Sequence, residues 1–400
     1  MEVLIALGAG CLLIRLGVAF YGIGMIRAKN AAGAVLRTIC DLCVAVLAFW
    51  LIGAAILTQT HNMYFAFNRE MIAFAGGGTA GLFFLTSVVL VGTAIAGGAL
   101  AERSKFFPLC AASFLLSAIV IPIGANWAWT GWLARRGFVD VGGATWLHLS
   151  GAICGLVGAA FVGARSGKYH HDGSASMIPG HNVPLAGFGV LTMLVGWGPY
   201  LAGCLVVALD RPVFLGAAAT GVILAAAGGG LAAILLGHYR YGKPDVIITL
   251  LGLLGAMVAI SAGAGHLSAA WCVFVGAVAG LLVPLSAIWI DLFGRVDDPG
   301  GVIAVHGIGG IWGTFAAGLL MPGSFAERAH QLGIQILGLV CIGLLALALS
   351  LLLFVILRAT VRLRAGEADE YDGLDLAEHD IGAYPDFQQT MIKSYHLREA

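Results

Sequence analysis

The stretch DVGGATWLHLSG, residues 140–151, places His148 at the start of a run that continues as ICGLVGAAFVGA and is apolar enough to cross a membrane. A titratable side chain inside such a helix is costly and usually has a functional role. The pattern returns as DPGGVIAVHGIGG at residues 298–310, with His306 lying 158 residues after His148. In both copies an aspartate comes first, then a pair of glycines, then the histidine. The two copies predict an internal repeat with one buried histidine in each half.

The composition indicates a membrane protein. Hydrophobic residues make up 60% of the 400 residues and charged residues only 10%, whereas soluble domains carry about 25% charged residues. The 59 glycines are typical of helices that pack closely in lipid, where small side chains let backbones approach. The formal net charge of zero gives no indication of a nucleic acid or another strongly charged partner.

Eleven apolar stretches reach the roughly 20 residues that a helix needs to cross a bilayer. They predict an all-α polytopic membrane protein with eleven transmembrane helices. The first stretch is interpreted as a span rather than a cleaved signal, because no basic segment precedes it. The predicted spans are residues 3–26, 39–59, 73–101, 106–125, 142–164, 184–208, 214–237, 245–264, 267–290, 301–321 and 331–358.

The two histidines lie on the fifth and tenth predicted spans, so the two copies of the pattern cross the membrane in opposite directions. This arrangement is a five-plus-five inverted repeat, whose site is expected near the midplane between the halves, and the eleventh span is extra. Each histidine lies about five residues, or about 7–8 Å of rise, into its helix, so the two approach each other from opposite sides. Two unrelated histidines bonded to backbone carbonyls are the alternative, which the matched positions disfavour.

A pair of buried imidazoles has a restricted chemistry. The two rings do not both hold a charge, because like charges repel strongly at low dielectric. They share one proton between ring nitrogens, which fixes both tautomers, and they exchange a hydrogen bond or a proton with a small polar molecule. Because the rest of the pathway is apolar, such a solute must be small and nearly neutral where it crosses.

The distribution of lysine and arginine predicts the orientation, because cytoplasmic loops carry the excess of these residues. It puts the N-terminus outside and the C-terminus in the cytoplasm of a multi-pass inner (plasma) membrane protein. Residues 1–364 are predicted as the transmembrane domain and residues 365–400 as a cytoplasmic tail. The tail is either disordered or docked on the membrane domain through its apolar residues, which are Tyr371, Leu374, Leu376, Ile381 and Tyr384.

No pattern in the sequence predicts an enzyme, a cofactor or a metal site. Cys40 and Cys43 form a CxxC pair, but no second pair or nearby histidine completes a metal or redox site, so packing in an apolar helix is favoured. No nucleophile triad or phosphate-binding loop is found, and the glycine-rich runs lie within predicted spans. Glu102 and Arg103 form a charged pair at the end of a span and are interpreted as structural.

Six segments, in order along nearly the whole chain, resemble the Amt/Mep/Rh ammonium transporter family, and within it the Amt branch. The resemblance implies a homotrimer in which each protomer has its own narrow pore, and it identifies His148 and His306 as the paired pore histidines. The six segments are YGIGMIRAKN at 21–30, ALAERSKF at 99–106, DVGGATWLHLSGAICGLVG at 140–158, HNVPLAGFGVLTMLVGW at 181–197, DDPGGVIAVHGIGGIWG at 297–313 and DGLDLAEHDIGAYPDF at 372–387.

The resemblance also implies roles at the outer mouth of the pore. Asp140 is expected to cap the N-terminus of the fifth helix by accepting backbone N–H bonds, with direct contact to ammonium as the alternative. Trp129 is expected to recruit ammonium by a cation–π contact worth about 0.5–2 kcal/mol. The alternative for Trp129 is a membrane-interface belt shared with Trp127 and Trp132.

Three features depart from the family pattern. Cys204 stands where the family has a hydroxyl residue in the vestibule, and a thiol is the weaker hydrogen-bond acceptor. The two gate phenylalanines of the family correspond to Tyr200 and Val88, although Phe84, one helical turn from Val88, is placed to cover the entrance. Arg15 lies inside the first span and is expected at a trimer interface or extended toward the membrane surface.

The first functional prediction is ammonium transport. NH4+ would be recruited outside near Trp129 and Cys204 and lose its proton there, and NH3 would cross past the histidine pair. The alternative is an ammonium receptor that signals through the tail to a fused or partner domain, and a weaker third is a channel for CO2 or NH3 gas. The implied partners are ammonium or ammonia, membrane lipid, further copies of the chain, and a PII-type protein or C-terminal signalling domain.

Overall fold

A computed structural model describes residues 2–68, 79–209 and 215–384. Over these ranges the chain is an all-α polytopic membrane protein, in which each predicted span corresponds to an apolar helix. The helices are α1 Glu2–Met25, α2 Ala28–Leu57, α3 Thr79–Ala99, α4 Phe106–Arg135, α5 Ala144–Val162, α6 Val183–Ala208, α7 Leu215–Tyr241, α8 Val246–Ile260, α9 Ala269–Leu292, α10 Ala304–Leu320 and α11 Phe325–Thr360. Within the described ranges, all except the shorter α8 and α10 are long enough by themselves to cross a membrane.

Three parts of the predictions lie outside the described residues. They are residues 73–78 of the third predicted span, residue 214 at the start of the seventh, and residues 385–400 of the tail. The other bounds agree closely with the prediction except at the starts of α2 and α11 and at the end of α4.

Polar caps extend α2 and α11 beyond their apolar segments. α2 begins near the surface because the carboxylate of Asp375, in the tail, accepts hydrogen bonds from the N–H groups of Ala32 and Gly33 at 2.9 and 2.6 Å. α11 begins early because Ser324 and Glu327 form a capping box at its N-terminus. Hydropathy alone does not detect these polar turns, so the predicted starts were late.

The two halves of the repeat cross where α1 packs along α6. A Cβ on Gly17 would lie 2.5 Å from the carbonyl oxygen of Gly189, and a Cβ on Gly189 would lie 2.6 Å from the carbonyl oxygen of Gly17. Glycine at both positions therefore allows the two backbones to touch. Around this crossing α3 packs on α5 and α8 packs on α10, which are equivalent pairs, and α11 packs outside the repeat on α5 and α10.

Both histidine-bearing helices begin with a wide π-helical turn, at Ala144–Leu149 in α5 and Ala304–Ile308 in α10. Such turns are rare in proteins and occur frequently at functional sites. A left-handed glycine precedes each turn, Gly143 with φ 75° and Gly301 with φ 65°, in a region that favours glycine. The inverted repeat thus extends to the backbone geometry around the histidines.

The tail continues as two short helices, α12 Glu367–Asp372 and α13 Leu374–His379. Of the five apolar tail residues that were expected to dock, only Leu374 is buried, and the other four are at least 40% exposed. Charged contacts fix the tail instead, among them the ion pair of Glu378 with Arg37 at 2.6 Å. The described part of the tail is docked, but chiefly through polar groups.

Arg15 turns inward, which corrects both expectations for it. It forms an ion pair with Asp41 of α2, and the two side chains are only 5% and 13% exposed. The guanidinium also donates to the carbonyl oxygens of Thr38 at 2.9 Å and Leu90 at 3.3 Å, while Ser113 donates to Asp41. Arg15 stays inside the helix bundle and does not extend toward water, because Asp41 and two backbone carbonyl oxygens satisfy its charge and its N–H groups there.

Candidate functional site

The two repeat histidines meet at the centre of the fold. Their Nδ1 atoms lie 3.1 Å apart in a hydrogen bond in which one ring donates and the other accepts, and the ring planes differ by only 16°. His148 is fully buried and His306 is partly buried. Nε2 of His148 is also buried and has no hydrogen-bond partner among the described residues. One proton between the rings therefore leaves an Nε2 atom available to a solute.

Two aromatic rings of α6 pack against His148, Tyr200, which the sequence analysis named, and Trp197, which it did not. The ring of Trp197 in α6 lies nearly parallel to the imidazole, with centroids 5.4 Å apart, and Tyr200 meets the imidazole edge-on at 6.4 Å. The indole N–H of Trp197 donates to the hydroxyl of Ser261 at 3.1 Å, which fixes the indole plane. Trp197 ends one of the six family-like segments, but a single tryptophan in an apolar helix carries no pattern that marks it as a pore wall.

A carboxylate caps each histidine helix. Asp140 accepts hydrogen bonds from the backbone N–H groups of Ala144 and Thr145 at 2.7 and 2.8 Å. Asp298 accepts from the equivalent N–H groups of Val302 and Ile303, directly before α10, at 3.0 and 2.7 Å. The alignment of the repeat already paired these aspartates, and each satisfies N–H groups that a helix start leaves without partners.

A tyrosine from the crossing helices α1 and α6 supports each cap. The hydroxyl of Tyr200 in α6 donates to the carbonyl oxygen of Gly142, and the hydroxyl of Tyr21 in α1 donates to that of Gly300 at 2.6 Å. Gly142 and Gly300 are equivalent positions of the repeat. Tyr200 therefore differs from a phenylalanine at the entrance, since its hydroxyl is committed to the backbone of the capping loop.

The residues expected at the entrance lie on α3 and α6 and are all buried. Phe84, Val88, Tyr200 and Cys204 are each exposed by 1% or less. The ring of Phe84 lies over Gly203, where a Cβ would be only 2.1 Å from a ring carbon. The structure therefore brings Phe84 of α3 against α6 at Gly203, while the roles of these four residues in a gate stay predictions.

Trp129 lies beside the loop that caps α5. It is partly buried, its indole N–H donates to the carbonyl oxygen of Val141 at 3.2 Å, and its ring meets Trp146 edge-on with centroids 5.0 Å apart. Trp127 and Trp132 form another edge-on pair at 5.8 Å. Of the three tryptophans, Trp129 is therefore the one that donates a hydrogen bond to the loop that caps α5.

The sequence of this chain matches a known protein family. The sequence profile of the Ammonium Transporter Family matches residues 3–384. The chain belongs to this family. It is 30% identical to ammonium transporter Amt2 of Archaeoglobus fulgidus over 94% of this chain and 86% of that protein, and 30% identical to ammonium transporter Amt1 of Haloferax mediterranei over 93% and 76%. A solved sensor Amt protein superposes with a TM-score of 0.88 at 30% identity, over 94% of this chain and 97% of that one.

Membership of the ammonium transporter family agrees with the predicted resemblance and with the eleven helices and inverted repeat described above. It supports ammonium transport as the general function, and the named relatives are transporters rather than enzymes. Among the described residues, histidine, cysteine and acidic side chains form no group of three that would hold a metal ion.

Near the start of α10, a buried charge cluster joins the loop before this helix to the loops that follow α3 and α5. Arg165 pairs with Asp297 through two contacts of 2.8 Å and also pairs with Glu102. Arg103 donates to the backbone carbonyl oxygen of Asp297 at 2.7 Å, so its main partner is a loop rather than the adjacent Glu102. Although burial raises the pKa of Asp297, hydrogen bonds and the positive charge of Arg165 hold this pKa below its usual value.

Proposed function

We propose that this protein moves ammonium across the membrane by releasing its proton and conducting NH3 past His148 and His306. The observation that carries the proposal is the 3.1 Å Nδ1–Nδ1 hydrogen bond, together with the unpartnered Nε2 of His148. NH3 has both a lone pair and N–H donors, so it accepts from a protonated Nε2 or donates to a bare one. A neutral solute of this kind suits an apolar pathway with a single shared proton.

The proton must leave before the solute enters the apolar part of the pore. Stripping the water from a whole ammonium ion costs far more than stripping it from neutral ammonia. The histidine pair and associated water are proposed to carry the released proton, which makes transport electrogenic. The imidazoles suit this role because each ring nitrogen accepts or donates as the other changes.

Recruitment is proposed at Trp129 and Cys204, with Phe84, Tyr200 and Val88 as the gate. The contact of Trp129 with the loop around Asp140 supports its place near the entry path. Because the gate residues are buried, entry requires the Phe84 ring to move off Gly203. Asp140 is proposed to act on the helix terminus rather than on the ion itself.

The assembly and topology are proposed from the resemblance and from the charge distribution. Three copies, each with its own pore in residues 1–364, form a homotrimer in the inner (plasma) membrane, with the N-terminus outside. Residues 365–400 form the cytoplasmic tail, where a PII-type protein or a signalling domain would bind. The positions of lysine and arginine support this orientation.

An ammonium sensor is the second candidate function. Two observations favour it, the TM-score of 0.88 to a sensor Amt protein and the fully buried entrance residues. A sensor would bind ammonium at the same vestibule and report through the tail, with little or no flux. The charged contacts of the described tail give such a report a physical route to α2.

Ammonium-evoked current in reconstituted liposomes tests the transport proposal. The wild type is expected to give a saturable current, and His148→Ala is expected to reduce it at least tenfold because the shared proton has lost one of its two sites. His170→Ala, in an exposed loop, is the matched control and is expected to conduct like the wild type.

Two outcomes would contradict the proposal in different ways. Saturable ammonium binding without any current would favour the sensor. A current that His148→Ala leaves unchanged would exclude the histidine pair as the proton path while leaving transport itself intact.

A further inference from the structure

The residue just before each capping aspartate is held by a side chain from elsewhere in the fold. Val139 precedes Asp140, and its equivalent in the repeat, Asp297, precedes Asp298. In both loops the backbone carbonyl of that residue accepts a hydrogen bond of 2.7 Å from a buried side chain. The two halves therefore share an anchor as well as a cap, although the anchoring residues differ.

Gln335 of α11 is the anchor on the Asp140 side. Its side chain is fully buried, and its carboxamide pairs with both backbone groups of Val139, accepting from the N–H at 2.9 Å and donating to the carbonyl oxygen at 2.7 Å. The same amide nitrogen also lies 3.2 Å from the carbonyl oxygen of Thr314 in α10. One side chain thus joins the capping loop of α5 to the helix that carries His306.

In the other half of the repeat, charged side chains hold Asp297, the residue equivalent to Val139. Arg103 donates to the carbonyl oxygen of Asp297, and Arg165 holds the carboxylate of Asp297. Both arginines belong to the first half of the five-plus-five repeat. On the Asp140 side the anchor comes from α11, which lies outside the repeat, and it is neutral.

We propose that Gln335 is a positioning residue for the pore. By fixing Val139 it sets the place of the Asp140 carboxylate, and through the cap on Ala144 and Thr145 it sets the π-helical turn that carries His148. The effect on flux rests on the proposed transport past the histidine pair, whereas the effect on the cap does not. This gives the extra helix α11 a specific role at the pore.

Gln331 provides a matched control one helical turn earlier. It is the same residue type on the same helix, and its amide donates to the carbonyl oxygen of Gly137 at 2.8 Å in the same loop. Among the hydrogen bonds of the described residues it makes none with Val139, but its amide also donates to Oε1 of Gln335 at 3.2 Å. A general loosening of α11 from this loop would give similar effects for the two glutamines. Positioning of the cap would give a much larger effect for Gln335, because Gln331 reaches Val139 only through Gln335.

Hydrogen exchange in the detergent-solubilised full chain tests the anchor without any need for flux. Gln335→Met keeps the length of the side chain and removes both hydrogen bonds to Val139 as well as the one to Thr314. Amides 144–146 are expected to exchange at least about tenfold faster. Gln331→Met removes one bond to Gln335 but leaves both bonds between Gln335 and Val139 in place, so it is expected to accelerate exchange of these amides far less. Gln335→Asn, which keeps a carboxamide but is too short to pair with both groups of Val139, provides a second test if Gln335→Met does not fold.

Ammonium current then tests whether the cap carries the effect to the pore. Gln335→Met and Asp140→Ala are each expected to reduce the current, and the double variant is expected to be no worse than Asp140→Ala alone, because both act through one cap. Unchanged exchange at amides 144–146, or full additivity of the two reductions, would overturn the proposal. If the wild type gives no current, transport fails as the function, and the exchange result still decides the role of Gln335.

Discussion

At the scale of single residues, Gly143 and Gly301 both have a positive φ, in the left-handed region that favours glycine. An L-residue in this region costs about 1–2 kcal/mol in backbone strain. At Gly143 a Cβ would also lie 2.7 Å from the Cβ of Leu147, so the π-helical turn itself would have to shift. The two glycines therefore specify where the histidine helices begin.

Gly143→Ala is expected to destabilise the protein by at least about 1–2 kcal/mol and to reduce ammonium current. Thermal unfolding in detergent and current in liposomes measure the two effects. Gly333→Ala is the control, because this exposed glycine in α11 has nothing within 4 Å of its Cβ position, and it is expected to stabilise by about 0.5–1 kcal/mol. Equal effects at the two positions would show that the left-handed conformation of Gly143 is not required.

At the scale of helices, the ion pair of Arg15 and Asp41 joins α1 to α2 inside the membrane. Arg15 is buried and Asp41 is only 13% exposed, and each also has hydrogen-bond partners in neighbouring helices. A buried pair adds little net stability over an apolar replacement, but removing one partner leaves an uncompensated charge. Replacing only one of the two residues is therefore expected to reduce the stability of the protein more than replacing both.

Arg15→Met or Asp41→Leu alone is expected to destabilise the protein by about 3–5 kcal/mol, and the double variant is expected to recover most of that loss. A double-mutant cycle on thermal unfolding in detergent measures the coupling. Purely additive effects of the two substitutions would mean that the contact does not act as an ion pair.

Helix existence and order were predictable from sequence because apolar length is the main requirement for crossing a bilayer. The pairing of His148 with His306 was also predictable, since the repeat placed them at matched depths from opposite sides. The contacts of three other residues were not predictable, because each is an isolated residue whose partner is distant in sequence. These residues are Trp197, Asp41 and Gln335. Such contacts follow from tertiary packing and leave no periodic pattern in the chain.

At the scale of the whole molecule, Asp297 connects segments that are distant in sequence. It joins the loop before α10 to the loop after α5 through Arg165, and Arg165 reaches Glu102 after α3. Because the pKa of Asp297 is lower in the folded protein than its usual 3.8, its carboxylate contributes full stability above about pH 4. That contribution is lost as the pH falls through the lower, folded-state pKa.

Thermal stability in detergent is therefore expected to fall as the pH is lowered below about 4, and Asp297→Asn is expected to flatten this part of the profile. At neutral pH the variant is expected to be less stable, because Arg165 loses its charged partner. An acid profile identical to that of the wild type would assign the pH dependence to other carboxylates.

The hydrogen bond between His148 and His306 has a direction, because only one Nδ1 carries the proton. The ring that donates keeps a bare Nε2, and the ring that accepts keeps an Nε2–H. A hop of that proton alone would leave an imidazolate beside an imidazolium, so reversing the direction also requires the accepting ring to release its Nε2 proton and the donating ring to gain one at its bare Nε2. Since the inverted repeat relates the two rings by an approximate two-fold rotation, the reversed neutral pair matches the first pair after that rotation. The pair is thus a two-position element, and it must return to its starting tautomer before the next solute arriving from the same side meets the same arrangement of donor and acceptor.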